Sequence, residues 1–458
     1  MLKKNDLLTL DITELTSLGF GVGRQDGMIV FVSGALKGET VTARVIRVTK
    51  SYAVARAERV LTASPDRCED FCESKGCGGC AYRLLGERAE AQEKRNGVLS
   101  CMKHEGLSHV TVKETVTGTR LLHYRNKAQF PVARHKDERM YFGFFAPKSH
   151  RVVEAPHCAL QSPAFSPILD TLAPLLSECG VTVYDEETHT GLLRHVYLRA
   201  SSSGEVLLTL VLNGKVLPRE QEIVKALRAK HSEIIGILVN VQTARTNVVC
   251  GDEYRLLWGK GYLSDTLAGV LLDIPPASFY QVNHEMTEKL YAEAHRLAAL
   301  TGKETVLDLY CGVGSIGLSM ARDAREVIGI EIVPSAIGYA KRNAEKNGIA
   351  NARFFCADAF DTHTIIERLS RERGAAVCAD VVILDPPRKG CERELLDYIA
   401  TALSPDRIVY VSCNPATLAR DMRVLLSLGY EGDTVTPFDL FPRTAHVESL
   451  VCLRKQTN

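Results

Sequence analysis

From about Phe279 onward the chain alternates strand-like and helix-like segments, and few patterns restrict a fold more tightly. The strand candidates read TVLDLY, EVIGIE, ARFFCAD, DVVILD, RIVYVS and HVESLVCL. Helical patterns separate most of them, and the second helix runs to Asn347. Strands joined through helices lie parallel, because a parallel return needs a crossover that covers the sheet. The pattern predicts an α/β doubly wound sheet, whose ligands and chemistry belong at the carboxyl ends of its strands.

The earlier chain has a different character. Residues 6–60 alternate apolar and polar positions through LLTLDIT, MIVFVS, ETVTARVIRV and YAVARAERV, with a hairpin signal at Asp26-Gly27. Five or so short strands in that length predict a small OB-like β-barrel, a fold that often but not always binds oligonucleotides. A cysteine-rich stretch fills residues 61–81, and a helical pattern covers Ala81 to Glu105. Strands then dominate to about Cys250, interrupted by a helix near Arg219–Lys230, which predicts a mixed, mainly antiparallel domain. The expected division is 1–60, 61–275 and 276–458.

No apolar run approaches the ~18 residues of a membrane span, and the first 19 residues interleave acids with apolar positions. The expectation is a cytoplasmic protein. The net charge of +1 does not decide whether the partner is a polyanion. Its distribution permits one: Tyr82 to Pro156 holds 14 Lys/Arg against 8 Asp/Glu. The chain is too long for its 14 cysteines to be read as a disulfide scaffold, so free core thiols are the default.

Val306 to Leu318 reads VLDLYCGVGSIGL, with Gly312, Gly314 and Gly317 spaced as a nucleotide-binding turn between strand and helix. Alone this also suits a dinucleotide. Three acids favour S-adenosylmethionine. Asp308 sits inside the strand, where it can receive a cationic amino acid through the loop backbone or a water. Glu331 ends the second strand, where a carboxylate can accept both ribose hydroxyls. Asp358 ends the third, within reach of an adenine amine. The fourth strand ends in Asp385-Pro386-Pro387-Arg388-Lys389-Gly390, and two prolines fix that acid at the sheet edge. This position faces the substrate in such a fold. A planar nitrogenous base fits, although the turn does not choose the methylated atom; a plain loop acid with solvated basic neighbours is the structural alternative.

RIVYVS leads into Ser412-Cys413-Asn414-Pro415, so a cysteine stands where this fold places its chemistry. Carbon 5 of a pyrimidine is too weak a nucleophile to attack a methyl sulfonium. Thiolate addition at carbon 6 supplies the missing electron density, and a base must later remove the carbon 5 proton. Cys413 supplies a thiol, with a helix start expected to lower its pKa. Glu448, at the head of an apolar strand, supplies a carboxylate that is costly there unless it faces a polar cleft. His446 is a rival base, and a buried structural thiol is the plain alternative for Cys413.

DLYCGVGSIGL, LDPPRKG, SCNPATLARD and FPRTAHVESL, with SFYQVN upstream at Ser278 to Asn283, together resemble the RNA 5-methyluridine methyltransferase family over nearly the whole chain. The resemblance is to the 23S ribosomal RNA uracil-C5 type, whose TRAM domain the N-terminal barrel matches. It implies Cys413 as nucleophile, Glu448 as base and Asp385 as the group holding the uracil. It also implies Gln281, Tyr310, Ser315, Glu331, Asp358 and Asp385 around the cofactor. Ser315 stands where some members carry Asn. A helix at about 83–114 would pack on the catalytic domain, and a monomer is the family expectation. The alternatives are a transfer RNA substrate, a base N-methyltransferase using the Asp-Pro-Pro turn, or an RNA-binding protein that keeps the fold without catalysis.

Cys68, Cys72, Cys77 and Cys80 crowd 13 residues, and thiols at such spacing hold zinc or an iron–sulfur cluster. The resemblance points to a 4Fe-4S cluster on Cys77, Cys80, the distant Cys158 and a first ligand. Counting from Ser64 favours Cys72 over Cys68 for that ligand, one residue short of the common spacing. A radical methylthiotransferase also combines such a barrel with a cluster, but its C-x3-C-x2-C motif fails at Lys75.

Overall fold

The computed structural model describes residues 2–16, 18–74 and 76–456, which leaves Lys75 outside the described residues. The first 62 residues form a six-stranded sheet. In it Thr40–Val48 alternates buried and half-buried positions, turning Val41, Ala43 and Val45 into a core with Leu10, Val30, Val32, Ala53 and Ala55. Its strands Phe20–Gln25 and Met28–Ser33 pair Gln25 with Met28 across Asp26 and Gly27, both at positive φ (49° and 80°). That is the primed turn the Asp-Gly pair favours.

The central unit is a seven-stranded sheet. Leu193–Ala200 and Val206–Leu212 are buried at every position, because both faces of the sheet are covered. Helix Glu220–Lys230 carries the crossover between Val206–Leu212 and Ile234–Val241, which pair in parallel. A second helix, Phe165–Glu178, lies in the stretch read from sequence as strands. Its Phe165, Ile168, Leu169, Leu172 and Leu176 make a helical stripe against the sheet, and Pro174 inside it obscures the signal.

The catalytic sheet follows the expected alternation. In space its parallel strands run Ala352–Cys356, Glu326–Glu331, Thr305–Leu309, Val381–Leu384 and Arg407–Ser412. Glu448–Lys455 then pairs antiparallel with Arg407–Ser412, and Thr434–Phe438 pairs with Glu448–Lys455. Earlier chain joins this unit. Thr111–Val112 adds a strand beside Thr434–Phe438, and helix Glu87–His104 sends Val98 and Met102 into the core that holds Leu418 and Leu425. The hairpin Leu263–Leu267 and Val270–Ile274 packs on Met286, Leu290 and Ile337. The division at 275/276 therefore cuts through one packed body.

Buried charge fastens the helix to the loop before Glu448. Lys94 Nζ donates to Glu90 Oε1 (2.8 Å), Asp439 Oδ1 (2.6 Å) and the Phe441 carbonyl (3.1 Å). The Arg443 amide closes the set on Glu90 Oε1 at 2.6 Å. Among the described residues, no helix is long and apolar enough to cross a membrane.

Candidate active site

Strand Arg407–Ser412 delivers Cys413 to the carboxyl edge of the sheet. Asn414 turns the chain there: its side chain accepts from the Ala416 amide (3.2 Å), capping helix Pro415–Ser427, and donates to the Arg388 carbonyl (2.9 Å). Asp421, deep in the same helix, accepts from the Cys391 amide (2.9 Å) and the Tyr410 hydroxyl (2.6 Å). The Asp-Pro-Pro turn and the cysteine turn are thus held to one helix.

Ser412 pairs with Ser449 in the antiparallel ladder, so the next residue outward on each strand, Cys413 and Glu448, shares one end of the sheet. Leu384 pairs with Tyr410 in parallel, which brings Asp385 to the same edge. Glu448 is 3% exposed, and its Oε2 has no hydrogen-bond partner. Burial, then Asp385, holds its pKa well above the usual carboxylate range, with Arg388 pulling the other way. Burial raises Asp385 to about 7.

The thiol corrects one expectation. Cys413 was expected to have a lowered pKa at a helix start. Instead burial, then Glu448 and Asp385, pushes it up to about 11, and Arg388 and a backbone hydrogen bond only partly offset this. Loss of water around a thiolate outweighs the helix end here. Arg388, for which a solvated loop cation was the plain alternative, is exposed yet acts on both Cys413 and Glu448, so it is a charge of the site; its place straight after a fixed turn was the available signal. His446 is lowered by burial, then by Arg388, Arg125 and Lys94.

Of the residues expected on the cofactor side, Asp308 and Glu331 bond to the glycine loop, and Tyr310 and Ser315 lie within it. Asp308 Oδ2 accepts from the Gly317 amide at 2.9 Å, and a Cβ at Gly317 would lie 2.7 Å from that oxygen, so only glycine fits. Burial raises Asp308 to about 7. Glu331 accepts from the amides of Gly312 (3.1 Å) and Val333 (2.9 Å), leaving lone pairs for hydroxyl donors. Asp358 caps a short turn through the Phe360 amide at 2.9 Å. Ser315 Oγ shares a hydrogen bond with the Tyr291 hydroxyl (2.8 Å), and Tyr310 takes a positive φ of 65°. Gln281 is buried, and its Oε1 lacks a partner. An orphaned amide oxygen, three carboxylates and a glycine cradle fit a ligand with a cationic amino acid and a ribose. Ile332 and Phe360, exposed just past the second and third strands, were not singled out from sequence; large apolar residues at strand ends were the signal.

Two segments bring four thiols into one neighbourhood. Cys80 is pushed to about 12 by burial, then by Cys158, Cys77 and Cys72. Burial raises Cys158 and Cys77 too, and Cys72 adds to both shifts. Cys68 stands apart, its Sγ against the carbonyls of Leu85 (3.3 Å) and Arg83 (3.5 Å). Among the described residues, no group of three or more His, Cys, Asp or Glu side chains is arranged to hold a metal ion. The donor chemistry of Cys72, Cys77, Cys80 and Cys158 fits a thiolate-bound metal, but their positions do not form a closed ligand shell.

A parallel sheet with this strand order, an acid-flanked glycine loop and an Asp-Pro-Pro turn defines the S-adenosylmethionine-dependent methyltransferase fold. The sequence model of the tRNA (Uracil-5-)-methyltransferase family matches residues 89–456, and that of the TRAM domain matches residues 3–57. The chain belongs to this methyltransferase family and carries a TRAM domain. It is 41% identical over 453 residues to an uncharacterized RNA methyltransferase of Halalkalibacterium halodurans, covering 98% of this chain and 97% of that one. A Listeria monocytogenes relative with the same description is 40% identical over 456 residues, with 99% and 98% covered. Among solved structures, the Pyrococcus abyssi tRNA (uracil-54, C5)-methyltransferase in complex with S-adenosyl-L-homocysteine superposes with a TM-score of 0.76 at 27% identity. That match covers 97% of this chain and 100% of the other.

Proposed function

We propose that this protein methylates carbon 5 of uridine in RNA, with Cys413 as nucleophile and Glu448 as base. The observation that carries the reading is the Ser412–Ser449 pairing, which puts the thiol beside a buried carboxyl whose Oε2 is unpartnered. S-adenosylmethionine, when bound by Gln281, Tyr310, Ser315, Glu331, Asp358 and Asp385, supplies an electrophilic methyl group. Asp385 also holds the uracil ring. Cys413 adds to carbon 6, the electron pair moves to carbon 5, and carbon 5 takes the methyl. Glu448 then removes the carbon 5 proton; the ring double bond reforms as the thiolate leaves. A carboxylate held above its usual pKa is a stronger base, which suits removal of a carbon-bound proton.

The family resemblance assigns Cys72, Cys77, Cys80 and Cys158 to a 4Fe-4S cluster that is structural or helps hold RNA; their thiol chemistry and the separation of Cys68 support this set, although their positions here leave the ligand shell open. The barrel serves RNA binding, and the protein acts as a cytoplasmic monomer. Large-subunit ribosomal RNA is the substrate this reading takes first. A transfer RNA substrate is the second reading, because a structure named for tRNA uracil-54 aligns over 97% of this chain. Ribosomal and transfer RNA from cells lacking the gene, incubated separately with the protein and methyl-labelled S-adenosylmethionine, decide. Label is expected in 5-methyluridine from one class. Label in an N-methylated base would leave Cys413 and Glu448 without a role and overturn the proposal.

A further inference from the structure

A cleft of about 570 Å3 opens beside Cys413. Its walls come from three parts of the chain: Leu15 of the barrel; Asn96, Gly97 and Ser100 of helix Glu87–His104; and Arg388, Asn414 and His446 of the catalytic loops. Asp385, Glu448 and the cofactor-side carboxylates do not line it. The volume falls within the ~300–1,000 Å3 of small-molecule clefts.

Gly97 leaves the helix side of the cleft open. It lies inside an 18-residue helix, where glycine is the poorest residue after proline. A Cβ there would meet nothing within 4 Å, so no packing contact requires its absence. The bare backbone leaves room for a flat group lying against the helix. Exposed Asn96 and Ser100 flank it with donors and acceptors, and exposed Arg388 offers a guanidinium suited to phosphate.

We propose that this cleft is a second nucleotide subsite, which takes the nucleotide next to the target uridine in the RNA chain. The inference rests on the proposed uridine chemistry. A uridine whose carbon 6 reaches Cys413 is splayed from its stack, and its covalent neighbour must lie close to the same thiol. The cleft meets that thiol, and its wall joins apolar surface from Leu15, Tyr82 and Pro415 to the polar groups of Glu93, Lys94, Asn96 and Ser100, a mixture that suits the face and edges of an unstacked base.

Two experiments on the full chain test it. Steady-state methylation of RNA is compared for wild type, Gly97→Ala and Gly97→Leu. Gly97→Leu should raise KM for RNA at least tenfold, with kcat and the S-adenosylmethionine Kd within twofold and the melting temperature not lowered. Gly97→Ala should fold at least as stably as wild type and show the smaller effect. An unchanged KM in folded Gly97→Leu overturns the subsite. Transcripts carrying 4-thiouridine are also photo-cross-linked, and a cross-link is expected in the tryptic peptide Asn96–Lys103. Cross-links confined to other segments contradict the proposal. Cross-linking needs no turnover, so a cross-link in this peptide without 5-methyluridine would sink the reaction assignment and leave the subsite standing.

Discussion

Titrating Cys413 in the RNA-free protein tests how the site holds its nucleophile. Burial, Glu448 and Asp385 put the thiol at about 11. At pH 7 an ordinary cysteine of pKa ~8.5 is about 3% thiolate, whereas one at about 11 is about 0.01% thiolate, a roughly 300-fold deficit. The more basic thiolate is intrinsically more reactive. A Brønsted slope of about 0.4–0.5 returns roughly 10- to 18-fold, leaving alkylation about 20–30-fold slower than for an ordinary thiol. Iodoacetamide labelling between pH 7 and 10, followed by mass spectrometry of the Cys413 peptide, reads this directly. The rate should climb about tenfold per pH unit across the range, because the pKa lies above it. Glu448→Gln removes an anion that opposes the thiolate, so the thiol pKa should fall and the profile move to lower pH. A plateau below pH 8.5, or a Glu448→Gln profile that does not move, would refute this account of the resting thiol.

Other perturbations follow from the same contacts. Lys94→Met leaves Glu90 and Asp439 facing each other in the interior, a loss of about 3–5 kcal/mol at pH 7. Burial raises both carboxyls, so they take up protons as pH falls; calorimetry at pH 5 should show a smaller loss than at pH 7, and an equal loss would contradict the pairing. In protein purified without oxygen, Cys72→Ser should lower bound iron and sulfide severely while Cys68→Ser leaves both near wild type. The reverse order would move the first ligand to Cys68.

The catalytic half was legible because parallel strands buried on both faces read as apolar runs, and its acids break those runs mainly at strand ends. Glu331, Asp358 and Asp385 were placed by that rule, and Asp308 by its interruption of the apolar strand Thr305–Leu309 just before the glycine loop. Glu448 was found as an acid at the head of an apolar strand, but the Ser412–Ser449 register that sets it beside Cys413 is a long-range pairing with no local signature. Helix Phe165–Glu178 was missed because its prolines masked an apolar stripe. The lowered thiol pKa was a local inference from a helix end; it is reversed first by burial and then by carboxyls from other strands, neither of which is visible locally. Arg388 and Gly97 gain meaning only once the cleft between helix, barrel and catalytic loops is assembled.

Trapping the covalent adduct tests the central claim most directly. Glu448→Gln, incubated with substrate RNA and S-adenosylmethionine, is denatured, digested and analysed by mass spectrometry. The account predicts that the Cys413 peptide carries a methylated uridine nucleotide, that free 5-methyluridine falls about 10²- to 10⁴-fold as expected for loss of a general base, and that Cys413→Ala forms neither adduct nor product. Release of 5-methyluridine by Glu448→Gln at the wild-type rate, or an adduct on any residue other than Cys413, would contradict it.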